Sequence, residues 1–321
     1  MLLNDFVTMQ GYNCILGNVY NAMNYFHVNV SEQDLFFWLS PFNGDRNLPE
    51  VFERLYRDKG ECNWLEFIKK NLENGHPVII SINPQVLTYV KVKVGDPSMK
   101  HYVNIIGIDE EKKQLYVSDS YIPTYIPSTH EGWIDYSQLS DADIGNCWHL
   151  KMEVLYYFQN NCGLVDINDF TSESIINRLS AFLGKSRDVQ NSSGIRELQT
   201  LSKIVKKNIE NENYDEIFKL LAGIRLNVIN PLIYLVNVFE RCPDEYCEWI
   251  ERLYLLVKSN WEILSIKLMK FALAHKKLDE DTILEQIDEV VELEKDLLND
   301  ILKRLLENKN SNLTVISRIF K

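Results

Sequence analysis

Residues 101–119 read HYVNIIGIDEEKKQLYVSD, and this stretch predicts a β-hairpin. Two runs rich in valine, isoleucine and tyrosine, at 101–109 and 114–119, flank the polar turn EEKK. In an antiparallel hairpin the start of the first strand lies beside the end of the second. We therefore expect His101, which opens the first run, and Asp119, which closes the second, to lie close together at a sheet edge.

The segments before and after this hairpin predict a mixed α+β region. PVIISIN at 77–83 is rich in β-branched residues and predicts a strand, and LKMEVLYYF at 150–158 predicts a last one. Helices are predicted for EVFERLYRD at 50–58 and for WLEFIKKNLENG at 64–75, the latter with Gly75 as its stop signal.

Another predicted helix begins at Cys14. In CILGNVYNAMNYF, residues 14–26, apolar side chains recur at the spacing of one helix face. Asn13 is a suitable N-cap, since its side-chain oxygen can accept a hydrogen bond from an unpaired amide of the first turn. Cys14 is therefore expected in the first turn of a helix.

The second half of the chain has a different pattern of apolar residues. From about residue 169, strand signals and glycines thin out, and successive runs carry the 3.6-residue apolar period of helices. The predicted fold is an α+β domain over residues 1–162 followed by an all-α helical domain over 163–321. NSSG at 191–194 is the expected flexible join.

Charge and cysteine content limit the function classes. The net charge of −12 disfavours a nucleic-acid partner, because phosphate binding needs a concentrated basic surface, and it suits a cationic amine better. The six cysteines show neither a CxxC pair nor zinc-ligand spacing, so no metal and no disulfide framework is expected. Without a signal segment or a long apolar run, we expect a cytoplasmic protein that does not use a membrane.

Cys14, His101 and Asp119 together have the residue types of a nucleophilic site. The partial positive charge of a helix N-terminus favours a thiolate, His101 can accept its proton, and Asp119 can orient the imidazole. Gln10, four residues before Cys14, can offer its side-chain amide beside the Cys14 backbone N–H as an oxyanion hole.

Each of these residues also has an ordinary structural interpretation. A lone cysteine on a helix usually packs, a histidine at a strand start usually lies at the surface, and an aspartate after a strand usually caps a turn. Their joint order favours catalysis. His149 is the rival base, but no aspartate or asparagine closes a following strand beside it. Tyr121 and Tyr125, in the predicted loop SYIPTYIP, can line an acyl channel or simply pack.

The order Gln10, Cys14, His101, Asp119 resembles that of the papain-like clan, in the branch that includes the bacteriocin-leader peptidases. The chain is more similar still to the butirosin biosynthesis protein H family of acyltransferases. The stretches that carry this resemblance are GYNC, VSEQDLFFW, PVIISINPQVLTY and HYVNIIGIDEEKKQLYVSDSYIP, with GIRELQTLSKIVKKN and INPLIYLVNVFE in the second half.

This resemblance implies a papain-like N-terminal domain and transfer of an acyl group from a carrier-protein thioester to an amine. Cys14 would hold the acyl group, His101 would be the base, Asp119 its orienter and Gln10 the oxyanion donor. The leader peptidases have a longer gap between glutamine and cysteine, so Tyr12 and Asn13 are further candidates for oxyanion or substrate contacts.

The implied partners are an acyl or peptidyl carrier protein and a small amine or diamine acceptor. No cofactor is expected beyond the phosphopantetheine arm that the carrier supplies. A cysteine peptidase with the same residues and a non-catalytic scaffold protein remain the alternative functions, because both would share this architecture.

Overall fold

The computed structural model describes residues 1–28, 30–32, 35, 56–58, 63–90, 101–122, 128–137, 139–140, 143–151, 155, 198, 200–240, 243–274 and 280–307. These residues belong to two compact units, one before residue 166 and the other from residue 166 onward. The boundary predicted at residue 162 and the join predicted at 191–194 both lie outside the described ranges.

An antiparallel sheet forms the centre of the first unit. In the described part of the chain it has six strands in the order β1-β6-β2-β3-β4-β5. Their bounds are β1 Tyr56–Asp58, β2 Val78–Ile82, β3 His101–Asp109, β4 Gln114–Ile122, β5 Ser128–Asp135 and β6 Ile144–Leu150.

The hairpin of β3 and β4 forms where the sequence predicts it, and it is longer than predicted. The turn covers residues 110–113, and Lys113 adopts a φ of 55°. Strand β4 continues past Asp119 to Ile122, which pairs with Ser128 of β5. Asp119 therefore lies inside a strand rather than at its end. Of the stretch SYIPTYIP expected as a loop after it, residues 120–122 belong to β4, and residues 123–127 lie outside the described ranges.

Helix α2, Trp64–Glu73, covers one face of the sheet. Its residues Trp64, Phe67, Ile68 and Leu72 are buried in a core shared with β2, β3 and β4. Asn63 caps the helix start, and the chain leaves the helix through Gly75, whose φ of 77° suits a residue without a side chain. The helix and its predicted stop are confirmed.

Helix α1, Cys14–Tyr25, packs against β3 and β4. It lies on the opposite face from α2, because Asn104 contacts α1 while its neighbours Val103 and Ile105 belong to the α2 core. The approach is close at Gly17, where an added Cβ would lie 2.6 Å from Ser120 Oγ. A glycine is needed there because the strand leaves no room for a side chain.

Two predictions near the edge of the sheet are wrong. Residues 50–58 were expected to be helical, but Tyr56–Asp58 form β1, which pairs with Trp148–Leu150. The last strand was expected at 150–158, but β6 ends at Leu150, and Leu155 is helical. The secondary structure of both segments depends on pairing with strands that are distant in sequence. The local periodicity of the sequence does not indicate such pairing.

The second unit is helical, as the apolar period predicts. Its helices are α3 Leu201–Glu210, α4 Tyr214–Ile224, α5 Asn230–Phe239, α6 Pro243–Tyr254, α7 Glu262–Ala274 and α8 Glu280–Glu307. π-helical segments Arg225–Ile229 and Leu255–Trp261 join α4 to α5 and α6 to α7. The α+β fold class is confirmed. Within the described ranges, no helix combines the length and apolarity needed to cross a membrane.

Candidate active site

Cys14 occupies the first turn of α1, and the local sequence explains why the helix begins there. Asn13 has extended backbone angles, and its Oδ1 accepts hydrogen bonds from the amides of Ile15, at 2.7 Å, and Leu16, at 3.3 Å. The predicted N-cap is therefore confirmed. Cys14 is a free, partly exposed thiol at the positive end of the helix dipole.

The backbone amides around Cys14 have identifiable acceptors. The N–H groups of Tyr12 and Asn13 donate to the carboxylate of Glu32, and the N–H of Gly17 donates to Asn13 O. Asn13 Oδ1 accepts hydrogen bonds from the amides of the two residues after Cys14. From residue 12 to residue 17, the Cys14 N–H is the amide for which the described residues supply no acceptor. It is available to a substrate oxygen.

His101 and Asp119 form a buried pair beside Cys14. His101 Nε2 lies 2.7 Å from Asp119 Oδ2, with side-chain exposures of 4% and 0%. Asn104 pairs with Ser118, so Val103 lies opposite Asp119 and His101 lies two residues further along the same face. The Cys14 side chain lies near enough to the imidazole to raise its pKa. Because Asp119 takes Nε2, Nδ1 is the nitrogen left for the thiol.

Asp119 is fixed by donors from other parts of the sheet unit. Its Oδ2 accepts a hydrogen bond from the Tyr89 hydroxyl at 3.0 Å, and its Oδ1 accepts one from the Tyr121 amide at 3.1 Å. The Tyr89 ring stacks on His130 at 3.8 Å between ring centroids. These contacts hold the carboxylate in one orientation toward His101.

The electrostatics of the site favour a protonated imidazole. Burial lowers the pKa of His101, but the charge and hydrogen bond of Asp119, followed by those of Cys14, raise it to about 10. Burial, together with the charge of Cys14, raises the pKa of Tyr102 to about 12. Burial and Asp119 hold the pKa of Tyr89 well above its usual value. Both phenols are therefore hydrogen-bond donors at neutral pH.

A buried amide pair links the nucleophile helix to the strand that carries the base. Asn18 Nδ2 donates to Cys14 O at 2.5 Å and to Tyr102 O at 2.7 Å. Asn104 Nδ2 in turn donates to Asn18 Oδ1 at 2.9 Å, and both asparagines are fully buried. The spacing between Cys14 and His101 is thus fixed by hydrogen bonds as well as by apolar packing.

The other predicted site residues have separate outcomes. Gln10 is exposed, and its role as an oxyanion donor remains a prediction. Tyr12 and Asn13 lie beside Cys14, but their backbone amides are taken by Glu32. Tyr121 is 1% exposed inside β4, so its side chain packs in the interior instead of lining an exposed loop. Tyr125 lies outside the described residues.

The rival base, His149, lies away from this arrangement. It is on β6, its Nδ1 lies 3.0 Å from Leu150 O, and its ring contacts His76 at 5.6 Å between centroids. Among the residues that the structure describes, no group of three or more His, Cys, Asp or Glu side chains is arranged to hold a metal.

Sequence reasoning missed Glu32, Tyr89, Asn18 and Asn104. Asn18 carried a weak signal, because a polar residue four positions after Cys14 lies directly above it on the helix. The contacts of Glu32 and Tyr89 come from segments whose path is not encoded in a local pattern.

Residues 8–141 match the model of the Peptidase_C39 like family. No curated protein matches the chain. The matched range contains the cysteine, the histidine and the aspartate whose side chains meet at this site. The match spans less than half of the chain, so it shows a similarity of this segment to the Peptidase_C39 like family.

Proposed function

We propose that the protein is a cysteine-dependent acyltransferase that makes amides. Cys14 would take an acyl group from the thioester of an acyl or peptidyl carrier protein and pass it to a small amine or diamine. The observation that carries this proposal is the buried His101–Asp119 pair, 2.7 Å apart and in contact with Cys14. This arrangement provides a nucleophile, a proton carrier and an orienting carboxylate.

In the first half of the reaction, Cys14 Sγ attacks the thioester carbonyl, and the Cys14 backbone N–H is the donor placed for the oxyanion. A carbon–sulfur bond forms to Cys14, the bond to the pantetheine sulfur breaks, and the protonated His101 can give its proton to that leaving thiolate. The high pKa of His101 suits this role, since the resting imidazole already carries the proton.

In the second half, the amine attacks the acyl-enzyme. Once Cys14 is acylated, its sulfur carries no charge, so one of the influences that raise the pKa of His101 is removed. The neutral imidazole can then accept the proton of the attacking amine, the amide forms, and the Cys14 thiolate leaves. Aminolysis must outcompete hydrolysis, so a tightly lined site that restricts water favours this function.

The resemblance in sequence supports this reaction type over general acyl transfer. The stretches GYNC and HYVNIIGIDEEKKQLYVSDSYIP resemble the butirosin biosynthesis protein H family of acyltransferases. The closthioamide amide synthase, which joins thioamidated acyl chains to a diamine, performs a reaction of the type that we propose, within specialised metabolism. The net charge of −12 also suits a cationic amine acceptor.

A cysteine peptidase is the second candidate, and the match of residues 8–141 to the Peptidase_C39 like family favours it. The same nucleophile and base would attack a peptide carbonyl, with water as the acceptor of the acyl group. Peptidase and amide synthase differ in the acyl donor and in the acceptor, and the test must separate them by both.

The test is the intact mass of the wild type and of Cys14→Ala after incubation with acyl-pantetheine thioesters, followed by addition of a diamine. We expect the mass of one acyl group on the wild type alone, and its discharge by the diamine as an amide. Discharge to free acid with or without the diamine, together with cleavage of unstructured peptides, would identify a peptidase. An unmodified wild type whose Cys14 is also inert to iodoacetamide would favour a scaffold.

A further inference from the structure

Glu32 is a buried acid whose carboxylate lies against the loop that precedes Cys14. It is 4% exposed. Its Oε1 accepts hydrogen bonds from the amides of Tyr12, at 3.0 Å, and Asn13, at 3.1 Å, and its Oε2 lies 3.0 Å from the Tyr12 nitrogen as well. A buried carboxylate must be compensated, and these consecutive amides supply part of that compensation.

The same carboxylate also closes over Gly11. A Cβ added at Gly11 would lie 3.2 Å from Glu32 Oε2 and 2.7 Å from Gly17 Cα. The amide of Gly11 donates to Ser120 O at 2.9 Å, so the loop is held by β4 as well as by Glu32. Residues 11 to 13 are therefore fixed in position immediately before the nucleophile.

This arrangement gives acceptors to the amides on both sides of Cys14 but not to the Cys14 amide itself. Glu32 takes the N–H groups of the two residues before Cys14, and Asn13 Oδ1 takes those of the two residues after it. The amide of Cys14 lies between these occupied amides. An oxyanion donor must be aimed before the reaction, because its contribution depends on preorganisation.

We propose that Glu32 is a positioning residue that fixes the loop at Tyr12 and Asn13 so that the Cys14 N–H points at the developing oxyanion. This inference rests on the acyl-transfer chemistry of Cys14 proposed above. Glu32 does not touch the reacting atoms. Its effect reaches the carbonyl oxygen through the peptide units of residues 12 and 13.

The experiment compares two reactions of the same thiol. Iodoacetamide alkylates Cys14 by displacing iodide from a saturated carbon, and this reaction forms no oxyanion. p-Nitrophenyl acetate acylates Cys14 through a tetrahedral oxyanion, with a bond forming from sulfur to the acetyl carbon as nitrophenolate leaves. Neither probe needs a carrier protein. The test of Glu32 therefore gives a result whether or not the proposed carrier-dependent reaction takes place.

Glu32→Gln is the main variant, because it keeps the side-chain shape but places an amide donor where Tyr12 N–H needs an acceptor. Glu131→Gln is the matched control: this exposed carboxylate accepts a hydrogen bond from Thr8 Oγ1 at 2.8 Å, in the same segment leading to Cys14. Melting temperatures show that each variant folds, and Glu32→Asp provides a second variant that keeps the charge but shortens the reach.

We expect Glu32→Gln to lower the acetylation rate of Cys14 by about 10- to 100-fold, the effect of a small misplacement at a reacting centre, with alkylation unchanged. Glu131→Gln should change neither rate. The proposal is overturned if acetylation and alkylation fall together, if neither changes in both folded Glu32 variants, or if wild-type acetylation does not depend on Cys14.

Discussion

The molecule buries a carboxylate against a ring N–H in each of its two units, and the partners give the two sites different properties. In the sheet unit, Asp119 lies 2.7 Å from Nε2 of His101. In the helical unit, Glu294 of α8 accepts a 2.6 Å hydrogen bond from Nε1 of Trp261. An imidazole can hold an additional proton and become a cation, whereas an indole cannot.

This difference between the ring partners determines which group in each pair holds a proton. Asp119 and the contact with Cys14 outweigh burial and raise the pKa of His101 to about 10, so the pair holds a proton on the ring. At Glu294, burial raises the pKa to about 7, although the Trp261 hydrogen bond lowers it, so the acid holds its proton in mildly acidic solution and is partly protonated near pH 7. Burial thus accompanies a charged pair beside a nucleophile in one place and a partly protonated structural acid in the other.

The largest expected effect is on the rate of Cys14 acylation, and it should distinguish the two buried acids when each is neutralised. Asp119→Asn should lower the rate of Cys14 acylation by roughly 10⁴-fold, the loss known for the same change in a Ser–His–Asp triad, because the amide supports neither the imidazolium nor its tautomer. Glu294→Gln, an equally conservative change at another buried acid, should leave this rate unchanged. Acylation of Cys14 measured by intact mass checks both variants, and equal rates for the wild type and Asp119→Asn would contradict the triad.

The next effect is on the titration of His101. Since its folded pKa lies near 10 and its ordinary value is 6.5, the imidazolium adds stability that is complete below about pH 6.5 and is lost as pH rises through about 10. NMR of the histidine ring protons should show His101 titrating in the alkaline range, and Asp119→Asn should lower its pKa. His130, whose pKa burial lowers, provides the internal control, and a His101 midpoint near that of His130 would break the comparison.

Glu294 should give a pH dependence in the acidic to neutral range. The unfolded carboxyl ionises near 4.5 and the folded one near 7, so stability is lost as pH rises through this window and is constant above it. The two values correspond to roughly 3 kcal/mol. Urea unfolding at pH 4 and pH 8 should show that Glu294→Gln reduces this pH dependence by about that amount. An identical pH dependence in the variant would show that Glu294 ionises normally in the fold.

The smallest effect is expected from Tyr89→Phe. The change removes the hydroxyl that donates to Asp119 Oδ2 but keeps the ring that stacks on His130. A hydrogen bond to a charged group contributes about 1.5 to 3 kcal/mol, so we expect a loss of stability at the low end of that range and about tenfold slower acylation. Tyr116→Phe is the control, since its hydroxyl donates to the exposed Glu131, and it should slow acylation less than Tyr89→Phe does.

The parts of the site that could be predicted are those with a local signature. The β-branched runs and the polar turn of 101–119 predict the hairpin, and antiparallel geometry then brings His101 to Asp119. Asn13 before an apolar period predicts the helix start at Cys14. These features need no knowledge of distant segments.

The features that could not be predicted depend on contacts between segments far apart in sequence. Tyr89 reaches Asp119 from the chain after β2, and Glu32 reaches Tyr12 from beyond α1. The local sequence around Tyr56–Asp58 has a pattern typical of a helix. These residues form strand β1 because they pair with β6, which is distant in sequence. The last strand was placed six residues too late at its start for the same reason.

The anchoring of residues 8–11 on β4 has a consequence for the chain as it is synthesised. Thr8 Oγ1 and Ser118 Oγ share a 2.7 Å hydrogen bond although they are 110 residues apart, and Gly11 donates to Ser120. At about 5 to 20 residues per second, β4 follows the Cys14 segment by roughly 5 to 20 s of translation. Over that interval the nascent chain carries the thiol without its base and without the strand that aligns it. Reactivity of Cys14 is thus expected to arise late on the ribosome, after β3 and β4 have emerged together.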